Sequence, residues 1–225
     1  MSRSANAQCR YTTNDRFHFE REWCAQGVTL LAGMDEAGRG PLAGPVVAAA
    51  VCLPAKWCRE GLPESLHGLN DSKQLSERRR EEFFAVLTAH PEVRFGIAEV
   101  GPERIDEINI LNATHEAMNL ALARLSPTPQ HVLVDGRPVK SLRLPHTAIV
   151  KGDSRSYSIA AASVLAKVTR DRRMLEFHAL HPTYGFAAHK GYGTPQHLAA
   201  LATHGPCPLH RRSFTWQRPV QKEFF

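Results

Sequence analysis

The chain has 225 residues, enough to bury a core and within the size of one or two small domains. Its formal net charge is +6, from 28 basic and 22 acidic residues before twelve histidines are counted, a balance that favours polyanionic partners such as nucleic acid without requiring one. Five cysteines (Cys9, Cys24, Cys52, Cys58, Cys207) are odd in number and never at CxxC spacing, no signal-peptide core opens the chain, and no apolar run approaches the roughly 18 residues of a membrane span, so a reduced, cytoplasmic chain with no disulfide framework, structural zinc or membrane contact is expected.

Residues 1–27 are polar and irregular and read as a tail. Residues 28–34 read as a buried strand, 46–53 as a second apolar run, and 54–70, with glycines and prolines, as a loop. Ser76 can cap a helix over 77–90 whose inner face is Phe83, Phe84 and Leu87. Residues 93–100 read as a strand, and Pro102 suits the first position of a helix. Along that helix Ile105, Ile108, Leu111, Met118, Leu122 and Leu125 recur at three- and four-residue spacing, with one gap at Thr114 and His115. Short strands at 132–135 and 148–150 run into Asp135-Gly136 and Lys151-Gly152-Asp153. A long helix over 156–178 follows, its early alanines allowing close packing on a sheet. The remainder is rich in Gly, Pro, His and Arg, with one short helix near 196–203. This mixture of strands and helices predicts an α/β fold with helices on the sheet faces. The expected division is a tail at 1–27, a catalytic core at 28–178 and an extension at 179–225 that contributes to substrate binding.

Four acids share one context. Asp35 and Glu36 end the first strand, Asp135 ends a later one, and Asp153 follows a third just before the long helix. Open α/β sheets place their sites at strand ends, so acids arriving there can converge. Each alone also reads as a turn or cap residue: Asp135-Gly136 is an ordinary turn dipeptide, and Asp153 suits a helix N-terminus. As a set they read as a metal site. Carboxylates crowded together repel unless a cation compensates them. Mg²⁺ prefers oxygen ligands and keeps waters that phosphate can replace. Two such ions about 3.5–4 Å apart can serve phosphodiester hydrolysis. One geometric difficulty stands: adjacent strand residues point to opposite faces, so Asp35 and Glu36 share a site only if the strand ends or twists there.

The glycine-rich stretch from Gly38 to Gly44 has neither GxGxxG spacing nor a following GK[ST]. It reads as a turn between strands, or as a loop whose backbone can approach a ligand with Arg39 beside it.

The chain resembles the type 2 ribonucleases H, the ribonuclease HII family. The resemblance runs from Ala32 to Phe214 through Gly-Met-Asp-Glu-Ala-Gly-Arg-Gly-Pro-Leu-Ala-Gly-Pro (33–45), Asn-Asp-Ser-Lys-Gln-Leu (70–75), Val-Asp-Gly (134–136), Lys-Gly-Asp-Ser-Arg-Ser (151–156), the alanine-rich helix at 159–172, His-Lys-Gly-Tyr-Gly-Thr (189–194) and His-Arg-Arg-Ser-Phe (210–214). It implies a ribonuclease H-like mixed central sheet flanked by helices, with a helical and irregular C-terminal extension. It also implies endonucleolytic cleavage of RNA in RNA·DNA duplexes and incision 5′ of single ribonucleotides in DNA, leaving 3′-hydroxyl and 5′-phosphate ends. In family terms Asp35, Glu36, Asp135 and Asp153 hold the metal, Mg²⁺ or Mn²⁺. Gly38, Arg39 and Gly40 read the 2′-hydroxyl, the group that separates RNA from DNA. Tyr192 packs on the following sugar. The full Gly38-Arg39-Gly40 triplet favours type 2 over the sister type 3 enzymes.

Lys73, Lys151, Arg155 and Lys190 are candidates for phosphate contacts, which would make binding salt-sensitive; each also reads as a solvated charge. Asp171, four residues after Lys167, reads as an ion-pair partner. The last residues, Gln221 to Phe225, have the look of sliding-clamp ligands, with Phe224 and Phe225 as the contact, although a terminal strand is the plainer reading. A monomer is expected. The competing function is a hybrid-binding module without catalysis, against which the intact four-acid set argues.

Overall fold

Residues 46–52, Val-Val-Ala-Ala-Ala-Val-Cys, are buried at every position, so both faces of this strand must be covered. In the computed structural model, which describes residues 16–215, they are the second strand of a five-stranded sheet. The chain order is α1 (His18–Ala25), β1 (Leu31–Ala37), β2 (Val46–Cys52), α2 (Ala55–Glu60), α3 (Glu77–Ala89), β3 (Arg94–Val100), α4 (Pro102–Ala123), β4 (His131–Asp135), β5 (His146–Ile149), α5 (Tyr157–Leu180), α6 (Phe186–His189) and α7 (Pro195–His204). The sheet order is β3-β2-β1-β4-β5. β2 runs antiparallel to β1 and β3, whereas β1, β4 and β5 are parallel.

Side chains alternate across the sheet. Val46, Ala48, Ala50 and Cys52 pack with Ala32, Met34, Val132 and Val134 against Ile105, Ala117, Met118 and Leu122 of α4. Val47, Ala49 and Val51 face the other way, onto Phe83 and Leu87 of α3 and the alanine-rich start of α5. Small residues let that helix lie close to the sheet: a Cβ at Gly33 would sit 2.1 Å from the Ser158 carbonyl carbon.

Ser76 caps α3 as expected, its hydroxyl accepting from the Arg79 amide at 3.2 Å. Four features differ from the sequence reading. Residues 18–25, taken as irregular tail, form α1, which lays Phe19 and Trp23 on Leu133, Ile149 and Ile159. Its Glu20 is buried and accepts from the Ser156 hydroxyl at 2.6 Å, from the Ser158 amide at 3.1 Å and from the Ser158 hydroxyl, capping α5 with an acid from a distant segment. Burial raises the Glu20 carboxyl above its usual range despite those donors. The expected loop at 54–70 contains α2 and a short 3-10 turn at Glu64–Leu66, both anchored by buried residues: Trp57 and Cys58 in the first, Leu66 in the second. The α4 helix is kinked at Asn109 (φ 65°, ψ 163°), where the apolar spacing gave no sign of an interruption. Asn109 Oδ1 accepts from the Leu111 and Asn112 amides at 3.0 and 3.1 Å and so restarts the helix. β1 extends to Ala37 and therefore contains both acids.

The segment after α5 has its own small core of Ala43, Met174, Tyr184, Phe186 and Leu201. His189, His197 and His210 pack beside it, and the last two are linked. The Cys207 amide donates to His210 Nδ1 at 3.0 Å, His197 Nδ1 lies 2.9 Å from the Tyr192 carbonyl, and the two Nε2 atoms are 3.0 Å apart. This chain of bonds closes with both rings neutral and one proton between the Nε2 atoms. Burial pushes His210 down to about 4 from the ordinary 6.5, with repulsion from His197 and His181 adding to it. A histidine lowered in the fold stabilises above its ordinary value, and that contribution is lost as pH falls towards the folded value. The stability difference between the native chain and His210→Gln, read from denaturant melts, is expected to narrow as pH falls from 6.5 to about 4. A difference that stays constant across that window would contradict the neutral pair.

Candidate active site

The parallel register of β1 and β4 pairs Gly33 with Leu133 and Met34 with Val134, so Asp35 and Asp135 come next, side by side on the α5 face. β5 pairs Ile149 with Asp135, and the chain then turns through Lys151 (φ 55°) into a 3-10 turn, Gly152–Ser154, that carries Asp153. Asp35, Asp135 and Asp153 each offer a carboxylate oxygen within 4.8 Å of the others. The Gly152 amide donates to Asp135 Oδ1 at 2.6 Å, and the Glu36 amide donates to Asp35 Oδ1 at 2.7 Å. Ser163 of α5 donates a further hydrogen bond to Asp35.

Glu36 falls on the opposite face, as strand alternation requires. It stands outside the three-acid group and pairs with Arg39 at 3.2 Å. The field of Arg39 reaches α4, where it adds to burial in lowering His115. Glu36 is nonetheless close enough to Asp35 and Asp135 to repel both. The strand thus neither ends nor twists sharply at the acids; one faces α5 and the other flanks the group from the α4 side.

The electrostatics are those of a site short of positive charge. Burial first, then Glu36 and Asp135, raise Asp35 well above the usual carboxylate range. Burial raises Glu36 too, against Arg39. Asp153 is pushed up to about 6 by burial and by repulsion from Asp135 and Asp71. Burial alone would lower Lys73, but the surrounding Asp35, Asp71, Asp153 and Asp135 outweigh it and raise it. Three converging carboxylates, with Asp35 and Asp153 raised in proton affinity, suit a hard divalent cation, which supplies the missing charge.

A cavity of about 550 Å³ opens beside Asp35 and Glu36 and is lined by Gly38, Arg39, Gly40, Lys73 and Tyr192. The turn joining β1 to β2 thus shares one pocket with the acids. Tyr192 is 45% exposed, and its ring lies 3.7 Å from where a Gly40 Cβ would stand, leaving it open to stack on a ligand. The amides of Arg39 and Gly40 meet no acceptor among the described residues. A cavity of about 750 Å³ on α4, lined in part by Arg104, His115 and Arg143, includes none of the four acids.

The structure therefore brings together Asp35, Asp135, Asp153, Lys73, Tyr192 and the Gly38-Arg39-Gly40 turn, with Glu36 at their edge. Lys151 stands exposed on the turn before Asp153. Arg155 lies over the Phe19 ring and bonds the Val150 carbonyl, and the Lys190 ammonium bonds the Ala187 carbonyl, so both are taken up by the protein itself. Asp171 pairs with Lys167 at 2.7 Å as expected. Phe224 and Phe225, the expected clamp contact, and Cys9 lie outside the described residues; Cys24, Cys52, Cys58 and Cys207 are free thiols. No helix among the described residues is long and apolar enough to cross a membrane. Sequence reasoning missed Asp71, Ser72, Arg170 and Arg211. The Ser72 and Ser163 hydroxyls are hydrogen-bonded at 2.9 Å, which docks the segment bearing Lys73 on α5. Its signal was present in the 70–75 motif, but nothing in that string says where it packs.

Fold and acid cluster together define a nuclease of the ribonuclease H type. The ribonuclease H2 from Pyrococcus horikoshii superposes with a TM-score of 0.69 at 28% identity, covering 84% of this chain and 95% of that one. The ribonuclease HII solved in a complex with PCNA from Archaeoglobus fulgidus gives 0.65 at 25% identity, over 87% and 100%. The ribonuclease HII family model matches residues 32–217, and ribonuclease HII of Ruminiclostridium cellulolyticum is 53% identical over 196 residues, 87% of this chain and 74% of the relative. The chain belongs to the ribonuclease HII family, whose activity is metal-dependent hydrolysis of the RNA strand in RNA·DNA hybrids.

Proposed function

We propose that this chain incises on the 5′ side of single ribonucleotides embedded in duplex DNA, leaving 3′-hydroxyl and 5′-phosphate ends, and so serves ribonucleotide removal from DNA. The observation that carries the reading is that Asp35 of the carboxylate cluster, its neighbour Glu36 and the Gly38-Arg39-Gly40 turn with its two unpartnered amides line one pocket. Asp35, Asp135 and Asp153 hold Mg²⁺ or Mn²⁺, two ions with substrate, and Glu36 adds its charge from the flank. When bound, the metal supplies a water of lowered pKa and a counter-charge for the phosphate. The protein's own groups do the orienting: Gly152 and Ser163 fix Asp135 and Asp35, and Lys73 at the pocket wall meets the phosphate. Arg39 and Gly40 offer amides to the 2′-hydroxyl, Tyr192 stacks on the next sugar, and Lys151 reaches the backbone beyond Asp153. Arg155 and Lys190 reach phosphate only by leaving their present partners. The segment after α5 contributes by holding the turn.

The test is one duplex with a single ribonucleotide, incubated with the full chain and Mg²⁺ or Mn²⁺ and read on a denaturing gel. The expected product is one cut, 5′ of the ribonucleotide, that chelator abolishes. Cutting confined to longer RNA tracts would overturn the reading, and tight binding with no cut in either metal would replace it with a hybrid-binding module.

A further inference from the structure

Arg170 and Arg211 are among the largest fully buried side chains, at 1% and 0% exposure. A buried guanidinium is costly unless its donors are met, and burial lowers both below the ordinary arginine range. Their donors go to main-chain carbonyls. Arg211 Nη2 donates to the Gly38 carbonyl at 2.6 Å, Nη1 to the Arg39 carbonyl at 2.9 Å and Nε to the Gly44 carbonyl at 2.9 Å. Arg170 Nε donates to Pro45 at 3.0 Å, Nη2 to Ala43 at 3.2 Å and Nη1 to Lys190 at 3.0 Å. Five of the six bonds thus end on the turn between β1 and β2. A Cβ on Gly38 would lie 2.0 Å from Arg170 Nε, so the side-chain-free position is what lets this arginine pass.

The consequence follows from peptide geometry. Both bonds, Gly38–Arg39 and Arg39–Gly40, are trans. In a planar trans peptide the carbonyl and the following amide point in opposite directions. With the Gly38 and Arg39 carbonyls drawn inward by Arg211, the amides of Arg39 and Gly40 are turned outward, into the pocket. Neither amide meets an acceptor among the described residues.

We propose that Arg211, supported by Arg170, is a positioning residue for ribonucleotide discrimination: it aims the Arg39 and Gly40 amides at the 2′-hydroxyl and touches no substrate itself. The planar fork of arginine matters, because lysine cannot reach three carbonyls at once. This rests on the reading of the turn given above.

The experiment measures binding of the full chain, in chelator so that nothing is cut, to a duplex with one ribonucleotide and to the same sequence as DNA throughout. The native chain is expected to prefer the first. In Arg211→Lys that preference should fall by about tenfold, as two lost neutral hydrogen bonds would produce, with affinity for all-DNA duplex unchanged. A merely structural role would lower both affinities together. A native preference that survives in Arg211→Lys overturns the clamp and leaves the reading of the turn intact. No preference in the native chain overturns that reading and the clamp with it. Should Arg211→Lys fail to fold, hydrogen exchange on the native chain decides: the Arg39 and Gly40 amides should gain protection on the ribonucleotide duplex and not on DNA, and equal protection on both overturns the proposal.

Discussion

Asp35→Asn is expected to cleave at no more than about a thousandth of the native rate in Mg²⁺, a barrier increase of about 4 kcal/mol, and to melt at a higher temperature than the native chain in chelator. The two halves have one cause. Asp35 is buried between Glu36 and Asp135, and its carboxyl is raised well above the ordinary 3.8. A raised acid contributes stability that is complete below its ordinary value and is lost as pH rises through the folded one. Asp153 adds a loss of the same sign as pH rises towards about 6. The metal-free site therefore works against the fold near neutral pH. Asparagine keeps an oxygen for the Glu36 amide and Ser163 but carries no charge, so one repulsive centre disappears. Each kcal/mol so relieved raises the melting temperature by roughly 2–4 °C in a chain of this length. The measurement is a thermal melt of both chains in chelator beside a cleavage time course. A lower melting temperature, or native-like cleavage, contradicts the account. The histidines act with opposite sign over the same pH window, so the difference between variants is the informative quantity, not the native pH profile.

Gly33→Ala is expected to cost about 3 kcal/mol or more of stability, near or beyond the upper end for overpacking, and to leave little folded protein at growth temperature. The new methyl would stand 2.1 Å from the Ser158 carbonyl carbon and 2.4 Å from the Ile159 amide nitrogen. Those are main-chain atoms in the first turn of α5, and no rotamer change can move them away. The helix would have to lift from β1 where Glu20 caps it and Asp153 precedes it. Activity should fall with the folded fraction and beyond it, since Ser163 reaches Asp35 from that helix. Urea melts of the two chains give the cost; a loss under about 1 kcal/mol would mean that the helix–strand gap yields to the methyl.

Much of the site was legible because its chemistry sits at chain punctuation. Asp135-Gly136 and Gly152-Asp153 mark strand ends whatever the tertiary fold, and parallel pairing then brings such ends to one edge. The difficulty over Asp35 and Glu36 was also legible, and its resolution was not: only the register shows that β1 keeps its alternation to Ala37 and leaves Glu36 on the α4 side. What escaped was whatever depends on distant partners. Glu20 looks like one more charge in a polar stretch until Ser156 and Ser158 are placed above it. Arg170 and Arg211 read as surface residues by type, because arginine is rarely fully buried. Trp57 and Leu66 belong to elements too short for periodicity to register. The kink at Asn109 escaped because the apolar spacing runs on through Ile108 and Leu111 on either side of it.

The contacts from Arg211 to Gly38 and Arg39 join residues 173 and 172 positions apart. During synthesis the turn emerges well before the arginine that holds its carbonyls. A chain stopped between Asp153 and Arg211 would hold all three acids and lack the guanidinium that fixes the turn beside them. If Arg211 sets ribonucleotide discrimination as proposed, a chain that stops before it would carry the cutting groups without the means to choose where they act.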